Sequence, residues 1–156
     1  MRVRDVKYED FVNYRKPSMF ISTASCTFKC FSGLRENLCQ NLPLLRCPVV
    51  EIDDSVLVGR YVSNPFTSAV VVGGLEPFDQ FGELFSFART LRKSCDDDLV
   101  VYTGYDEHEV SGMASILAQL GHVIVKYGRF VEGRQPRFDP VLGVVLSSDN
   151  QHAVEL

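Results

Sequence analysis

The feature that most constrains the fold is an alternation of short apolar runs with amphipathic segments. Residues 69–74 (AVVVGG), 99–105 (LVVYTGY) and 122–128 (HVIVKYG) are near-continuous apolar runs, typical of strands buried on both faces. Residues 79–94 and 106–120 lie between them and repeat apolar side chains at helical spacing. Strands that alternate with helices in this way predict an α/β fold with a parallel sheet and right-handed crossovers.

Two further elements precede this core. Residues 18–24 (SMFISTA) predict a first strand, and residues 52–63 predict a helix that Asp53 or Asp54 caps. A chain of 156 residues is expected to form a single domain over 1–156. Ligands of parallel sheets bind at the carboxyl ends of the strands, so the loops that leave the strands are the expected functional region.

Three loops carry the notable residues of that region. They are a cysteine-rich loop after the first strand, the GGLEP turn at 73–77 and the YTGY end at 102–105. Because the carboxyl ends of parallel strands share one edge of a sheet, we expect these three loops to meet there.

Charge and composition exclude several classes of partner and location. The net charge of −4 and the scattered basic residues predict no nucleic-acid or anionic-membrane surface. The first residues, MRVRDVKYEDF, are charged and unlike a signal peptide, and no apolar run approaches membrane-spanning length. The cytosol is therefore the expected location, and thiols stay reduced there.

Three of the five cysteines lie in SCTFKCFSGLRENLCQ, with the spacing C-x3-C-x8-C through Cys26, Cys30 and Cys39. An odd number of clustered cysteines favours metal or redox chemistry over a disulfide framework. Thiolates are soft ligands for zinc or iron–sulfur clusters, and a closed zinc site would need Cys47 as its fourth ligand. The spacing by itself leaves an iron–sulfur site, a zinc site and unliganded thiols open. Cys47 and Cys95 are interpreted as non-ligands.

The stretch KPSMFISTASCTFKC, together with Cys39-Gln40-Asn41, resembles the radical S-adenosylmethionine (radical SAM) superfamily. It is most similar to the short activating proteins of the anaerobic (class III) ribonucleotide reductase. Those proteins carry C-x3-C-x2-C after the first strand and an Asn soon after the third cysteine. Cys26, Cys30 and Cys39 match in order, with the last interval expanded from two residues to eight.

The resemblance continues in family order along residues 14–156. VVVGGLEPFD resembles the GGE-P turn that contacts the methionine amino group of S-adenosylmethionine, with Leu75 inserted before the acid. LVVYTGYDEHE resembles the family's V-Y-T-G-Y strand end. YGRFVEG and SSDNQHAVEL resemble its G-R-F and S-S-N-Q segments.

Membership of this family implies a fold and a set of cofactors. The fold would be a partial (βα) TIM-type barrel of the short activase kind, with a mostly parallel sheet and flanking helices. Cys26, Cys30 and Cys39 would hold a [4Fe–4S] cluster whose fourth iron is chelated by S-adenosylmethionine. No side chain beyond these ligands is implied to be catalytic. The residues implied to bind S-adenosylmethionine are Asn41, Gly73, Gly74, Glu76, Tyr102, Thr103 and Gly104.

The activity implied is that of an oxidoreductase which generates a glycyl radical on an anaerobic ribonucleotide reductase. The electron donor would be a flavodoxin-like or other low-potential protein, and no nucleic acid or membrane is implied. The loop between Cys30 and Cys39 is the expected docking element, with Phe31, Leu34 and Leu38 as its apolar contacts. Two alternatives stay open: a radical SAM enzyme acting on another protein or small molecule, and a non-catalytic cysteine-liganded metal-binding module.

Plainer interpretations of the same residues also stay open. Gly73-Gly74 is also typical of a strand-to-helix turn, and Glu76 of an acid in the first turn of a helix. Tyr102 and Tyr105 are also typical of core or rim aromatic residues. Arg129 is interpreted as a strand-end charge or as a carboxylate-binding group.

Overall fold

The computed structural model describes residues 1–29 and 39–156. Its strands are β1 Arg2–Asp10, β2 Ser18–Thr23, β3 Val50–Glu51, β4 Ala69–Gly73, β5 Asp98–Tyr102, β6 Val123–Tyr127, β7 Arg137–Asp139, β8 Val144–Leu146 and β9 His152–Glu155. The helices are α1 Asp54–Val62, α2 Phe81–Arg92 and α3 Glu107–Ala118, with short 3-10 helices at Leu42–Arg46 and Pro77–Gln80. Seven strands form one sheet in the order β3-β1-β2-β4-β5-β6-β9, and β7 and β8 form a separate hairpin.

The centre of the sheet is parallel, as the sequence predicts. Strands β2, β4, β5 and β6 pair in parallel, and Val71, Val100 and Ile124 lie side by side across three of them. The margins are antiparallel, because β1 pairs with β2, β3 with β1, and β9 with β6. The α/β class is thus confirmed, whereas the sheet is mixed rather than parallel throughout.

Local sequence explains where the helices begin and end. Asp53 caps α1, its side chain accepting a hydrogen bond from Ser55 N at 2.8 Å. Asp106 and Glu109 form a capping box at the start of α3, and Gly121 follows that helix with a φ of +69°. The helix predicted over 79–94 begins only at Phe81, since the preceding residues form the 3-10 helix.

The three helices pack on one face of the sheet, here called the helix face. Their buried side chains form a single core cluster with Val70, Val72, Val101 and Val125 of the central strands. The other face, here called the hairpin face, buries Val71, Val100 and Ile124. It is covered by Tyr14, Leu142 and Leu146, which come from the loop after β1 and from the β7–β8 hairpin.

This division follows from the alternation of side chains along each strand. The helices occupy one face of the sheet, and the loop after β1 and the β7–β8 hairpin occupy the other. In the part of the chain that the structure describes, no helix is both long enough and apolar enough to span a bilayer.

Candidate functional site

A cleft of about 310 Å³ lies at the carboxyl ends of the parallel strands, on the hairpin face. This volume falls at the lower end of the range of about 300–1,000 Å³ that is usual for small-molecule sites. Six of the residues that the resemblance implies to bind the cluster or S-adenosylmethionine line it: Cys39, Asn41, Gly74, Tyr102, Thr103 and Gly104. The expectation that the cysteine loop, the GGLEP turn and the YTGY end meet at one edge is confirmed for the described residues.

A row of residues on neighbouring strands borders the inner end of the cleft. Tyr102 of β5 and Lys126 of β6 are register partners, and the Phe20 side chain from β2 reaches over Gly73 of β4 towards Tyr102. A Cβ on Gly73 would lie 3.1 Å from Tyr102 Cβ and 3.2 Å from Phe20 Cζ. Gly73 therefore lets the two aromatic side chains approach each other. The Tyr102 hydroxyl donates to the backbone carbonyl of Asn13, which fixes the ring along the cleft.

Gly74 is required by the path of the chain. It has a φ of +79°, and a Cβ there would lie 2.9 Å from Ser22 Cβ and 3.0 Å from Leu44 Cδ1. The glycine thus allows the 3-10 helix at Leu42–Arg46 to pack against the ends of β2 and β4. The plain interpretation as a tight turn holds, and the same turn also lines the cleft.

Glu76 joins the end of β4 to the end of β5. Its buried carboxylate accepts hydrogen bonds from Thr103 Oγ1 at 2.7 Å and Gly104 N at 2.9 Å, and from Phe78 N at 3.1 Å. Burial raises the pKa of the Glu76 carboxyl above its usual range. Glu76 is not among the residues that line the cleft, so it shapes the cleft through Thr103 and Gly104, which do.

The Glu76–Gln80 turn also holds the start of the cysteine loop, residues 24–27. Four hydrogen bonds join the two segments: Glu76 N to Ser25 O at 2.8 Å, Ala24 N to Gln80 Oε1 at 2.8 Å, Ser25 N to Gln80 Oε1 at 3.2 Å, and Thr27 N to Asp79 Oδ2 at 2.5 Å. Gln80 also donates to Arg2 O at 2.9 Å, which anchors the turn to β1. The loop that leaves β2 is therefore positioned by the loop that leaves β4.

Cys26 lies within this anchored segment. Its sulfur accepts a hydrogen bond from Phe28 N at 3.2 Å, and Phe28 has a φ of +53°, which is unusual for a bulky residue. The Tyr105 hydroxyl lies 3.2 Å from Thr27 Oγ1 and donates to Asp79 Oδ1 at 2.6 Å. Burial raises the pKa of Tyr105 to about 12. Lys29 Nζ lies 4.7 Å from the centre of the Tyr105 ring, a cation–π contact.

The predicted metal ligands are described only in part. Cys26 and Cys39 are half-buried, and Cys39 lines the cleft. Cys30 lies outside the described residues, as do Phe31, Leu34 and Leu38 of the predicted docking element. Within residues 1–29 and 39–156, no three His, Cys, Asp or Glu side chains are arranged to hold a metal ion. This finding does not bear on a site that requires Cys30.

The lining of the cleft can be compared with S-adenosylmethionine, the ligand that the sequence resemblance implies. A Cβ on Gly104 would meet no atom nearer than Glu76 Oε2 at 3.6 Å, so there is room for a ligand to approach the backbone there. Val144 and Leu146 supply apolar surface for a ring, and Asn41 and Thr103 supply hydrogen-bonding groups. A ligand with an apolar ring and polar or charged groups fits such a lining.

Lys126 and Arg129 complete the polar lining, and Lys126 was not foreseen. A lysine within the apolar run HVIVKYG was the available signal, because a charge in a buried strand needs a reason. Arg129 pairs with both carboxylate oxygens of Glu109, at 2.7 and 2.8 Å. This contact lowers the pKa of Glu109 to about 2 and ties the end of β6 to the start of α3.

Comparison of the chain with models of known protein families, with curated proteins and with solved structures finds no match. Function must therefore be inferred from the residues of this chain. The features that bear on it are the cleft, the two described cysteines of the loop and the turn that positions residues 24–27.

Proposed function

We propose that the protein is a radical SAM enzyme that generates a glycyl radical on an anaerobic ribonucleotide reductase. The observation that carries the proposal is the meeting of separate motif segments at one cleft. Three distant parts of the chain line the same cleft. The first contributes Cys39 and Asn41, the second Gly74, and the third Thr103 and Gly104. The resemblance assigns all of them to one cofactor site.

The fold proposed with this function is a partial (βα) barrel of the short activase kind. Two observations support it. Strands β2, β4, β5 and β6 lie in chain order in the sheet, and helices α1, α2 and α3 all pack on one face. Helices on a single face are typical of barrels, whereas doubly wound sheets carry them on both faces.

In this proposal Cys26, Cys30 and Cys39 hold a [4Fe–4S] cluster, and the cleft holds S-adenosylmethionine. With one electron from the donor, these cofactors would supply the radical chemistry that removes a hydrogen atom from a glycine of the partner. The chain's own residues position and enclose them. The Glu76–Gln80 turn fixes the segment that leads to Cys26, and Glu76 holds Thr103 and Gly104 at the wall of the cleft.

A protein substrate is supported by the rim of the cleft. Val12 and Val145 line it, yet 67% and 64% of their surfaces are exposed. Apolar side chains at a cleft mouth are suited to contact with a partner surface. A covering partner would also exclude water from the reaction, as radical chemistry requires.

The test is to reconstitute the full chain anaerobically with iron and sulfide and to reduce it with a flavodoxin-type donor. It is then mixed with S-adenosylmethionine and an anaerobic ribonucleotide reductase from the same genome. We expect 5′-deoxyadenosine in the product mixture and a glycyl-type doublet in the EPR spectrum of the partner. The matched control is Cys26→Ser, for which both signals should be lost.

The alternatives give different outcomes. Formation of 5′-deoxyadenosine without a partner radical would reject the reductase as substrate and favour another protein or small molecule. Absence of 5′-deoxyadenosine from a fully loaded chain would reject the radical SAM proposal and favour a non-catalytic metal-binding module.

A further inference from the structure

Lys126 is the only lysine or arginine among the described residues that is buried, with 6% of its surface exposed. It lies on β6 and lines the cleft beside Tyr102, its register partner on β5. Its neighbours Val125 and Tyr127 point to the helix face, where they belong to the core. The alternation of side chains along the strand therefore directs Lys126 to the cleft side of the sheet.

The contacts of Lys126 leave its charge without an anionic hydrogen-bond partner in the described part of the chain. Nζ donates to Gly128 O at 2.9 Å and to Thr103 O at 3.5 Å, and both acceptors are neutral backbone carbonyls. An ammonium group has three N–H donors, so these two bonds leave one donor for another acceptor. Burial lowers the pKa of Lys126 to about 8, because the nearby charge of Glu76 and the Tyr102 ring, whose centre lies 5.9 Å from Nζ, offset only part of the cost of desolvation.

A buried cation at the wall of a cleft, with a pKa displaced by burial, marks a candidate ligand-binding group. Glu76, which is also buried, lies across Thr103 from Lys126, since its carboxylate accepts from Thr103 Oγ1. The carboxylate of Glu76 is occupied by its three donors and does not form a hydrogen bond with Lys126. The other cation at the cleft, Arg129, is already paired with Glu109.

We propose that Lys126 is the anion-binding residue of the cleft and that it pairs with a carboxylate of the bound small molecule. The ligand would direct its carboxylate to Lys126 at the end of β6. Its apolar part would lie against Val144 and Leu146, which also line the cleft. A charged hydrogen bond of this kind discriminates strongly against a ligand that lacks the anionic group.

This inference rests on the proposed function for the identity of the ligand, because S-adenosylmethionine carries a carboxylate on its methionine moiety. A matched pair of ligands therefore exists: S-adenosylmethionine and its decarboxylated analogue, which lacks only that group. The sequence resemblance did not assign Lys126 to either.

The experiment measures binding, not turnover. The full chain, reconstituted with iron and sulfide under anaerobic conditions, is titrated with both ligands by equilibrium dialysis. We expect wild type to bind S-adenosylmethionine at least tenfold more tightly than the decarboxylated analogue. Lys126→Met should weaken binding of S-adenosylmethionine about tenfold or more and leave binding of the analogue within about twofold.

Two further variants test whether the change in affinity is specific to the charge of Lys126. Lys93→Met removes an exposed lysine just after α2 and should change neither affinity. Lys126→Gln keeps a polar side chain, and should reproduce the loss for S-adenosylmethionine if Lys126→Met fails to fold. Thermal unfolding of each variant reports its integrity.

The outcomes separate the two claims. If Lys126→Met and Lys126→Gln bind both ligands as wild type does, or lose both equally, the carboxylate assignment is overturned while the proposed function stands. Equal affinity of wild type for the two ligands also overturns it. If wild type binds neither ligand, the proposed function and the assignment fall together.

Discussion

At the residue scale, Glu76 shows how one buried side chain serves both fold and site. The resemblance assigns it to the amino group of S-adenosylmethionine, and the plain interpretation makes it a first-turn acid. The structure gives it three intramolecular donors, from Phe78, Thr103 and Gly104. A carboxylate with three donors stabilises the protein regardless of any ligand, and removing its acceptor capacity leaves buried N–H and O–H groups unpaired.

We therefore predict that Glu76→Gln lowers the free energy of unfolding by about 1–3 kcal/mol, because an amide NH2 cannot accept a hydrogen bond from Gly104 N. The measurement is urea denaturation, with the exposed Glu132→Gln as the control. We also expect binding of S-adenosylmethionine to weaken roughly tenfold, since Thr103 and Gly104 line the cleft. Wild-type stability in Glu76→Gln would contradict the structural role, whereas reduced stability with unchanged binding would restrict Glu76 to the fold.

At the element scale, the Glu76–Gln80 turn acts as a template for the loop that leaves β2. Gln80 accepts from two backbone N–H groups of that loop and donates to β1. Asp79 contributes through Thr27 N and the Tyr105 hydroxyl. Residues 24–27, which include Cys26, are thus held by hydrogen bonds to a turn some 50 positions later in the chain.

We predict that Gln80→Ala speeds hydrogen exchange at the amides of Ala24 and Ser25, because both lose their acceptor. Hydrogen exchange in α3, which packs against β6 and α2, should change little. The matched control is Gln119→Ala at the end of α3, an exposed glutamine of the same size. Mass-spectrometric exchange on the full chain gives the answer, and unchanged protection of residues 24 and 25 in Gln80→Ala would disprove the template role.

At the scale of the whole molecule, the topology separates the four described cysteines. Cys26 follows β2, and Cys39 lines the cleft at the same edge of the sheet. Cys95 lies between α2 and β5, at the amino end of the parallel strands, where it packs against the helix-face core. Burial raises the pKa of the Cys95 thiol, which disfavours the thiolate form that binds metal.

We predict that Cys26, Cys30 and Cys39 are each needed for cluster retention and that Cys47 and Cys95 are not. Each single Ser variant is reconstituted anaerobically, and its iron and sulfide contents are measured against wild type. Cys95→Ser is the matched control, because the structure places Cys95 at the opposite edge of the sheet. Loss of iron from Cys47→Ser as complete as from Cys26→Ser would replace the three-ligand site by a closed site of four thiolates.

The sequence by itself determined the parallel centre of the sheet, the three helices and the edge at which their loops meet. Apolar periodicity carries this information, because a residue's burial depends first on its position within its own strand or helix. The runs AVVVGG, LVVYTGY and HVIVKYG became β4, β5 and β6, with no end shifted by more than three residues. The cap at Asp53 is local as well and was one of the two predicted, whereas the capping box of Asp106 and Glu109, although equally local, was not predicted.

Only the tertiary structure decided the margins of the sheet and the partners of the buried polar groups. β1 and β9 are half-exposed strands whose charged sequences show no continuous apolar run, so their antiparallel pairing was not foreseen. Glu76 meets Thr103 across 27 positions, and the Tyr102 hydroxyl meets Asn13 across 89. Periodicity indicates whether a side chain is buried, but not which distant group it contacts. Those contacts, together with the position of Lys126 at the wall of the cleft, shape the site.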